Sequence, residues 1–325
     1  MLEDVIITQL LQTPEQKWTG PKLAALAGVS RNAIWKAIEN LRQKGYTIDS
    51  SPQSGYRLTQ LPTQIEAHYL KYLLNDLPLT VHTYPSIDST NNEAKRLATD
   101  QTHDLLLIAS QQTAGRGRLG RDFQSDLTHG LYVSLKLTPN ISDMTQLPFY
   151  TLLTAAAVTE TLQPYLEDKL SIKWINDLFY HQRKVAGILC ESIVNMEAQT
   201  ADAVVLGCGL NLAGDFSHST HQEVAGTLFG ETLPDSLNQN QLLAQIIHKI
   251  YDYHHHLLDK GYLETYRHHL LGLNQTVHYQ INQHQDQGTI RGISNDGELL
   301  IEKRNGTIEK IFNERIHFGS EQFAK

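Results

Sequence analysis

Cysteine is scarce: the chain's 325 residues include only two, Cys190 and Cys208. Two thiols cannot build a disulfide framework, and they suit a reducing compartment. No apolar run approaches the length of about 18 residues that a membrane helix needs, so no membrane partner is expected. The opening residues, MLEDVIITQL, lack a basic stretch followed by a hydrophobic core and a cleavage site. No export signal is therefore expected, and the cytoplasm is the expected location. Positive charge is also in short supply, with 27 Lys+Arg against 35 Asp+Glu and a net charge of −8. The 16 histidines do not fall into a ligand pattern. His254, His255 and His256 are consecutive, so on a helix they diverge, and no metal site is expected from them.

What is present suffices for one or two sizeable cores, since 40% of the residues are hydrophobic. Charge is unevenly divided. Residues 1–60 hold seven basic and five acidic side chains, a surplus of +2, which leaves −10 for the remainder. A less acidic N-terminal module hints at nucleic-acid contact. Its pattern is helical. Val5, Ile6, Leu10 and Leu11 share a face, and Pro14 ends the helix. Thr19 and Gly20 can cap a second helix, with Pro21 in its first turn and Gly28 after its end. Ser30 caps a third, whose Ile34, Ile38 and Leu41 form one stripe. This is a helix–turn–helix pattern. Ser30, Arg31, Asn32, Lys36, Asn40 and Gln43 then face away from the stripe, as groove and phosphate contacts should. The segment YTIDSSPQSGYRL after Gly45 reads as a β-hairpin wing. A small helical adaptor without a DNA role fits the same degenerate pattern. Residues 59–63, TQLPT, mark a boundary.

From Thr63 to about Leu270 strands and helices alternate, as in an α+β domain. Residues 79–84, 105–110, 131–137, 171–175, 184–192 and 203–211 are β-rich. Residues 91–99, 145–166 and 237–258 have helical spacing. Polar groups collect at the ends of these elements. Ser89, Thr90 and Asn91 open a helix, where hydroxyls and free N–H groups face a ligand. Gln111 and Gln112 end a strand. Lys173 to Asp177 end another, and Lys184 begins the next. Gly207 to Asn211 form a glycine-bearing strand end. Each alone is a cap, a turn or a bulge.

Thr113 to Arg121 is the most telling stretch. It packs three glycines and three arginines into the seven positions from Gly115 to Arg121. Glycine lets the backbone bend and approach closely. Arginine meets phosphate or carboxylate two bonds at a time. Such a loop can fold over an anionic ligand. A solvated basic loop or an RGG-like nucleic-acid segment would read the same way, and only the rest of the chain separates these readings. Ser-Thr-Asn at 89–91, Gln-Gln-Thr-x-Gly-Arg-Gly-Arg-x-Gly-Arg at 111–121, Lys-Trp-x-Asn-Asp-Leu at 173–178, Lys-Val-Ala-Gly-Ile-Leu at 184–189 and Gly-x-Gly-Leu-Asn at 207–211 occur in that order. In this order, and behind a helix–turn–helix, the set resembles the biotin protein ligases, in particular their bifunctional ligase/repressor form. The resemblance covers essentially the whole chain.

The resemblance implies a class-II-synthetase-like α/β catalytic domain that adenylates biotin with ATP and Mg²⁺. The biotinyl group of biotinyl-5′-AMP then passes to a lysine of a biotin carboxyl carrier protein. It implies catalytic roles for Lys184, Arg116 and Arg118, which offset repulsion between carboxylate and phosphate. Ser89, Thr90, Asn91, Gln112, Gly115, Arg116, Lys184 and Gly187 would surround biotin. Arg118, Arg121, Phe123, Asn176, Asp177 and Asn211 would serve the nucleotide, with Asp177 toward Mg²⁺. Partners would include operator DNA and a second copy of the chain in an adenylate-promoted homodimer. Phe123 stands where the family has tryptophan, and Ile175 where it has proline. Asp126 and Thr128 replace a proline and a glycine. A biotin-sensing transcription factor with a weak or inactive ligase domain is the alternative. A lipoyl-transfer relative is disfavoured by the arginine–glycine loop and the DNA reader.

The tail has strand-like stretches at 276–280, 288–293, 299–303 and 307–311. Asn295-Asp296-Gly297 and Asn305-Gly306 are hairpin signals between them. They fit the family's SH3-like β-barrel, either as a structural cap or with a direct role in ATP or acceptor binding. The expected architecture is α+β with three domains: winged helix–turn–helix (1–60), catalytic (63–270) and SH3-like (273–325).

Overall fold

The computed structural model describes residues 2–51, 55–98, 103–138, 144–195, 197, 200–216, 223–281, 284–311, 316–317 and 322–323. Pro52 to Ser54 at the expected wing turn, and Thr99 at the end of an expected helix, lie outside them. The chain divides into two compact units, residues 1–77 with 235–244, and residues 78–234 with 245–325.

The first unit contains α1 (Leu2–Gln12), α2 (Gly20–Ala27), α3 (Arg31–Gln43), β1 (Thr47–Ser51), β2 (Gly55–Gln60) and α4 (Ala67–Leu73). The buried face of α1 is Ile6, Ile7 and Leu10, whereas Val5 is exposed. The expected stripe was thus rotated by one residue. Thr19 has the extended conformation of a helix cap but makes no side-chain bond to α2. Gly28 closes that helix at φ 66°, a left-handed conformation in which glycine avoids the Cβ penalty. Ser30 caps α3 through its Oγ, which accepts from the Ala33 amide at 3.2 Å. Ile34, Ala37, Ile38 and Leu41 of α3 are buried. The wing is an antiparallel pair with Ile48 opposite Leu58. Trp18 adds a third strand position by exchanging two 2.8 Å backbone bonds with Tyr56.

This module does not end with the wing. Tyr69 of α4 lies in the same core as Leu10, Ile38 and Leu58. The Asn240 side chain, fully buried, donates to the carbonyls of Pro62 (3.1 Å) and Gln64 (2.7 Å) and accepts from the Glu66 amide (2.7 Å). The stretch after the wing is therefore fixed by residues 235–244, far away in sequence.

The second unit contains β3 (Leu79–Tyr84), α5 (Thr90–Ala98), β4 (Asp104–Ala109), β5 (His129–Leu137), α6 (Leu147–Leu162), β6 (Ser171–Lys173), β7 (Asp177–Tyr180), β8 (Arg183–Asn195) and β9 (Thr200–Ala213). It continues with the later part of α7 (Gln239–His255), then α8 (Tyr262–His268), β10 (Thr276–Ile281), β11 (His284–Ile293), β12 (Leu299–Lys303), β13 (Ile308–Ile311) and β14 (Ile316–His317). Seven strands form one sheet in the order β3-β4-β5-β9-β8-β7-β6. Only β3–β4 is parallel.

Side chains of successive strand residues point to opposite faces. Ala94 and Leu97 of α5 pack on Leu105, Leu107 and Val205. On the other face Cys190, a neighbour of Leu206 across the sheet, bonds to Thr151 and Thr154 of α6. α6 is buried almost all round, with Ala155, Ala156 and Ala157 letting it lie close. Within the triple histidine, His254 meets the Tyr150 hydroxyl at 3.0 Å, while His256 turns to Asp252.

The tail forms a five-stranded antiparallel sheet, β13-β12-β11-β10-β14. Among the described residues no pairing joins β13 to β14, so the sheet is seen and barrel closure is not. Its 294–298 turn meets the larger sheet. The Trp174 Nε1 donates to the Gly297 carbonyl at 3.0 Å. Lys260 bonds Asn295 O and Asp296, and Arg267 bonds Ser294 O and Asn295.

Candidate active site

A cleft of about 1050 Å³, solvent at its mouth included, opens on the α5 side of the large sheet. Ser89, Thr90, Asn91, Gln112, Arg116, Arg118, Arg121, Phe123, Asn176, Asp177, Lys184 and Gly187 line it. These come from four separate stretches of sequence. Gly115 and Asn211, also expected at the site, do not line it.

The first cluster sits at the start of α5. Thr90 donates twice to Gln112 Oε1, from its amide (2.8 Å) and its hydroxyl (3.1 Å). The Gln112 amide donates in turn to Ser125 Oγ at 2.9 Å. Ser134, fully buried, places its single hydroxyl proton between Thr90 Oγ1 (2.7 Å) and Asn91 Oδ1 (2.6 Å). The Asn91 amide donates to the Leu189 carbonyl (3.1 Å) and Glu191 (2.9 Å). Asn91 is thus occupied on both sides by protein groups, so it braces the cleft wall. Glu191 is the hub behind it, 2.6 Å from Lys95 and 3.7 Å from Arg116. Burial alone would raise its carboxyl pKa. The bonds from Lys95 and Asn91 outweigh burial and hold it below the usual value. Asp88, just before α5, is held far lower by its paired bonds from Arg96.

The second cluster joins β7, β8 and the arginine loop. Lys184 Nζ lies 2.9 Å from Asp177 Oδ1. Arg118 donates to Asn176 Oδ1 at 3.2 Å, and the Asn176 amide donates to the Ile188 carbonyl at 2.9 Å. The Trp174–Ile175 peptide bond just before is cis. The backbone of Lys184 pairs with the 224–226 segment through Val224 O (2.8 Å) and Gly226 N (2.9 Å). Asn211 is buried behind that segment and donates to the Gly226 carbonyl at 3.1 Å. It therefore supports Lys184 from behind.

Phe123 connects the two clusters. A Cβ at Gly209 would fall 2.3 Å from its ring, and one at Gly187 3.0 Å. The ring thus lies on a ledge that only glycine leaves open, with Lys184 Nζ 5.9 Å from its centroid. Gly207 makes room for Asn91 in the same way, since a Cβ there would come within 2.2 Å of Oδ1. Gly115 serves the loop's own packing: a Cβ there would fall 2.3 Å from Phe123 O. The loop is a narrow hairpin tied by Gly117 N to Arg121 O (2.7 Å) and Phe123 N to Gly115 O (2.9 Å). Arg116, half exposed, donates to Asn92 Oδ1 at 2.9 Å. Asp126 and Thr128, which stand where the family has a proline and a glycine, both face solvent. Leu127 between them is buried and its amide donates to the Tyr132 hydroxyl at 3.1 Å.

Sequence reasoning missed Ser125, Ser134 and Glu191. It singled out the motifs that hold Lys173, Trp174 and Cys208, which line the cleft, but gave those three residues no role. Burial pushes the thiols of Cys190 and Cys208 up to about 12, so both are held in the protonated form at neutral pH. On α3, Ser30, Arg31, Asn32, Lys36, Asn40 and Gln43 are all exposed, as expected. Asn40 is nevertheless engaged, donating to Glu3 at 3.0 Å.

An α+β sheet domain with a cationic, glycine-floored cleft, preceded by a winged helix–turn–helix, is the architecture of a ligase fused to a DNA reader. The biotin/lipoate A/B protein ligase family model matches residues 83–211, and an HTH domain model matches residues 3–57. The chain is 30% identical over 312 residues to the bifunctional ligase/repressor BirA of Bacillus spizizenii, covering 93% of this chain and 94% of that protein. It is 30% identical over 293 residues to BirA of Escherichia coli, covering 88% of each. The biotin protein ligase of Aquifex aeolicus, solved in complex with biotin and ATP, superposes with a TM-score of 0.61 at 26% identity. That match covers 74% of this chain and 98% of that one. The chain belongs to the bifunctional biotin ligase/repressor family. No helix among the described residues is long and apolar enough to cross a membrane.

Proposed function

We propose that this chain activates biotin with ATP to biotinyl-5′-AMP, transfers the biotinyl group to a lysine of a biotin carboxyl carrier protein in the cytoplasm, and represses biotin genes in its adenylate-bound state. One observation carries the ligase reading. A polar cluster suited to a ureido ring and a cationic cluster suited to phosphates line one cleft on either side of a Phe123 ledge.

In the first step a biotin carboxylate oxygen attacks the α-phosphorus and pyrophosphate leaves. Two anionic groups must meet, so positioned cations lower the barrier. Lys184 and Arg116 take the carboxylate and α-phosphate, and Arg118 and Arg121 the remaining phosphates. Ser89, Thr90 and Gln112 meet the ureido ring, with Asn91 holding Thr90's neighbourhood in place through Ser134. Gly115 and Gly187 permit the close packing around biotin. Phe123 offers an aromatic face, and Asn176 and Asp177 address the nucleotide. Asn211 acts through the backbone beside Lys184. The oxygens of Asp177 and Asn176 are hard donors that suit Mg²⁺, which takes few protein ligands and completes its shell with phosphates and water. Among the described residues no cluster of three or more His, Cys, Asp or Glu offers an all-protein cage. Mg²⁺ supplies charge neutralisation on the phosphates. In the second step the acceptor lysine amine attacks the acyl carbon, AMP leaves, and the amine loses a proton.

The test is incubation with biotin, MgATP and a biotin carrier domain, followed by mass measurement of the acceptor. A gain of one biotinyl group is expected, and an unmodified acceptor overturns the ligase reading.

The repressor reading takes residues 1–60 as the DNA module, 63–270 as the catalytic domain and 273–325 as an SH3-like domain. A single module with a +2 surplus makes few phosphate contacts. Two modules on a palindrome add theirs by effective concentration. Biotinyl-AMP on the arginine loop is the ligand placed to change the surface that a second copy meets. Sedimentation should show a shift from monomer to homodimer on adding the adenylate, with DNA affinity rising in step. An unchanged oligomeric state would remove the coupling.

A further inference from the structure

Trp35 of α3 is 53% exposed, an unusual position for the largest apolar side chain. It lies on the half of the helix away from Ile34, Ala37, Ile38 and Leu41. At about 100° per residue, its surface neighbours are Arg31 (i−4), Asn32 (i−3) and Glu39 (i+4), and Lys36 follows one position further round the exposed half. Glu39 is taken up by Arg42 at 2.5 Å. The side chains of Arg31, Asn32, Trp35 and Lys36 have no protein partner among the described residues. An indole with two unpaired cations and an amide therefore occupies the first two turns of the helix.

We propose that Trp35 reads operator DNA by packing its indole against a thymine 5-methyl group in the major groove. This rests on the reading of the N-terminal module as a DNA binder. Three points favour DNA over a protein partner. The cores of protein interfaces are depleted of charge, whereas DNA interfaces are strongly cationic. The first turns of a recognition helix are the ones that reach base edges. The thymine methyl is the apolar feature of the major groove, and it distinguishes T·A from the other base pairs. Arg31 and Lys36 would hold the helix on the phosphates or read guanine, and Asn32 suits adenine. Trp35 adds a contact that charge alone cannot supply.

The operator is unidentified, so the probe is a pool of duplexes with randomised sequence, selected by the full chain in the presence of biotin and MgATP. The wild type should enrich a site with a fixed T·A pair in each half. Trp35→Ala should lose the preference at that pair alone and bind the enriched duplex roughly ten-fold more weakly, the size of one good base contact. Trp35→Phe, which keeps an apolar face, should retain the preference. Replacing the selected thymine by deoxyuridine removes only the methyl. That change should weaken the wild type and leave Trp35→Ala unaffected. If Trp35→Ala enriches the same site with the same thymine, or binds it within about two-fold of wild type, this inference fails while DNA reading stands. If the wild type enriches no sequence, DNA reading itself fails and takes the inference with it.

Discussion

The cleft and the exposed side of α3 treat their polar side chains in opposite ways. In the cleft, Thr90, Asn91, Gln112, Asn176 and Lys184 are each held by a protein partner within 3.2 Å. On α3, Arg31, Asn32 and Lys36 are held by nothing among the described residues. A small ligand rewards groups already in place, because binding then costs little ordering. A polyanion rewards reach, because phosphates are contacted over a distance and through water. The cleft should therefore be sensitive to single changes in its braces, and the reader to single changes in its free contacts.

The sharpest break in the cleft is Lys184→Ala. It leaves Asp177 without its 2.9 Å partner and removes the cation placed beside the Phe123 ledge. Loss of one positioned electrostatic group should slow adenylate formation by about 100-fold or more. Biotin-dependent pyrophosphate exchange measures it, and a near wild-type rate would refute the role. Operator binding measured with pre-formed biotinyl-AMP should change much less.

Gly209→Ala tests the ledge. The new Cβ would meet the Phe123 ring at 2.3 Å, so the ring must move. Overpacking of this kind costs about 1–3 kcal/mol. Affinity for biotinyl-5′-AMP by calorimetry should fall by about ten-fold, with partial recovery on adding Phe123→Leu. Unchanged affinity in the single variant would place the ring outside the ligand's reach.

How far these regions could be read from sequence follows the same divide. The reader was largely legible, because caps and stripes are local: Ser30, Gly28 and the Ile34–Leu41 face lie where periodicity and capping placed them. The error at Val5 was one position of helical phase. Its attachment to Asn240 was invisible, since Pro62 and Asn240 are 178 residues apart. In the cleft, residues with unusual composition were legible and their braces were not. Ser134 sits inside an alternating apolar strand, and Glu191 looks like an ordinary strand end. β7 is only four residues long, and from sequence its Asp177 looks like the end of the preceding strand. Asn211 belongs to a recognisable motif, yet the fold places it one layer behind the cleft, against Gly226.

Glu191→Gln weakens a brace without touching the ledge. The neutral amide loses its charge-assisted bond with Lys95 and the attraction of Arg116. Bonds to charged groups of this kind suggest a loss of about 1–2 kcal/mol at neutral pH. The pH dependence has a definite sign. The folded carboxyl titrates below the ordinary value of 4.5, so as pH falls the unfolded chain takes up the proton first. The stabilisation from Glu191 is present above that value and is lost as pH drops through the folded pKa. Thermal melts of the two proteins should therefore differ at pH 7 and converge in acid. A constant difference across that range would mean that the carboxylate charge is not what braces Asn91 and Arg116.

The smallest expected effect is at Ser30, where two roles can be separated. The sequence gives the residue both a cap and a DNA contact, and the cap is present, with Ala33 N at 3.2 Å from its Oγ. Removing a cap costs about 0.5–2 kcal/mol, and the exposed setting favours the lower end. Ser30→Ala should therefore lower the melting temperature of the N-terminal module slightly and leave biotin transfer to a carrier domain unchanged. Ser30→Asp restores the cap and adds a negative charge at the helix N-terminus, where it is favourable. Stability should return. A carboxylate beside Arg31 would nevertheless repel phosphate, so DNA affinity should stay low and lose some of its salt dependence. Ser30→Thr should restore both. If Ser30→Asp recovered DNA binding along with stability, Ser30 would matter only as a cap, and the free contacts on α3 would begin at Arg31.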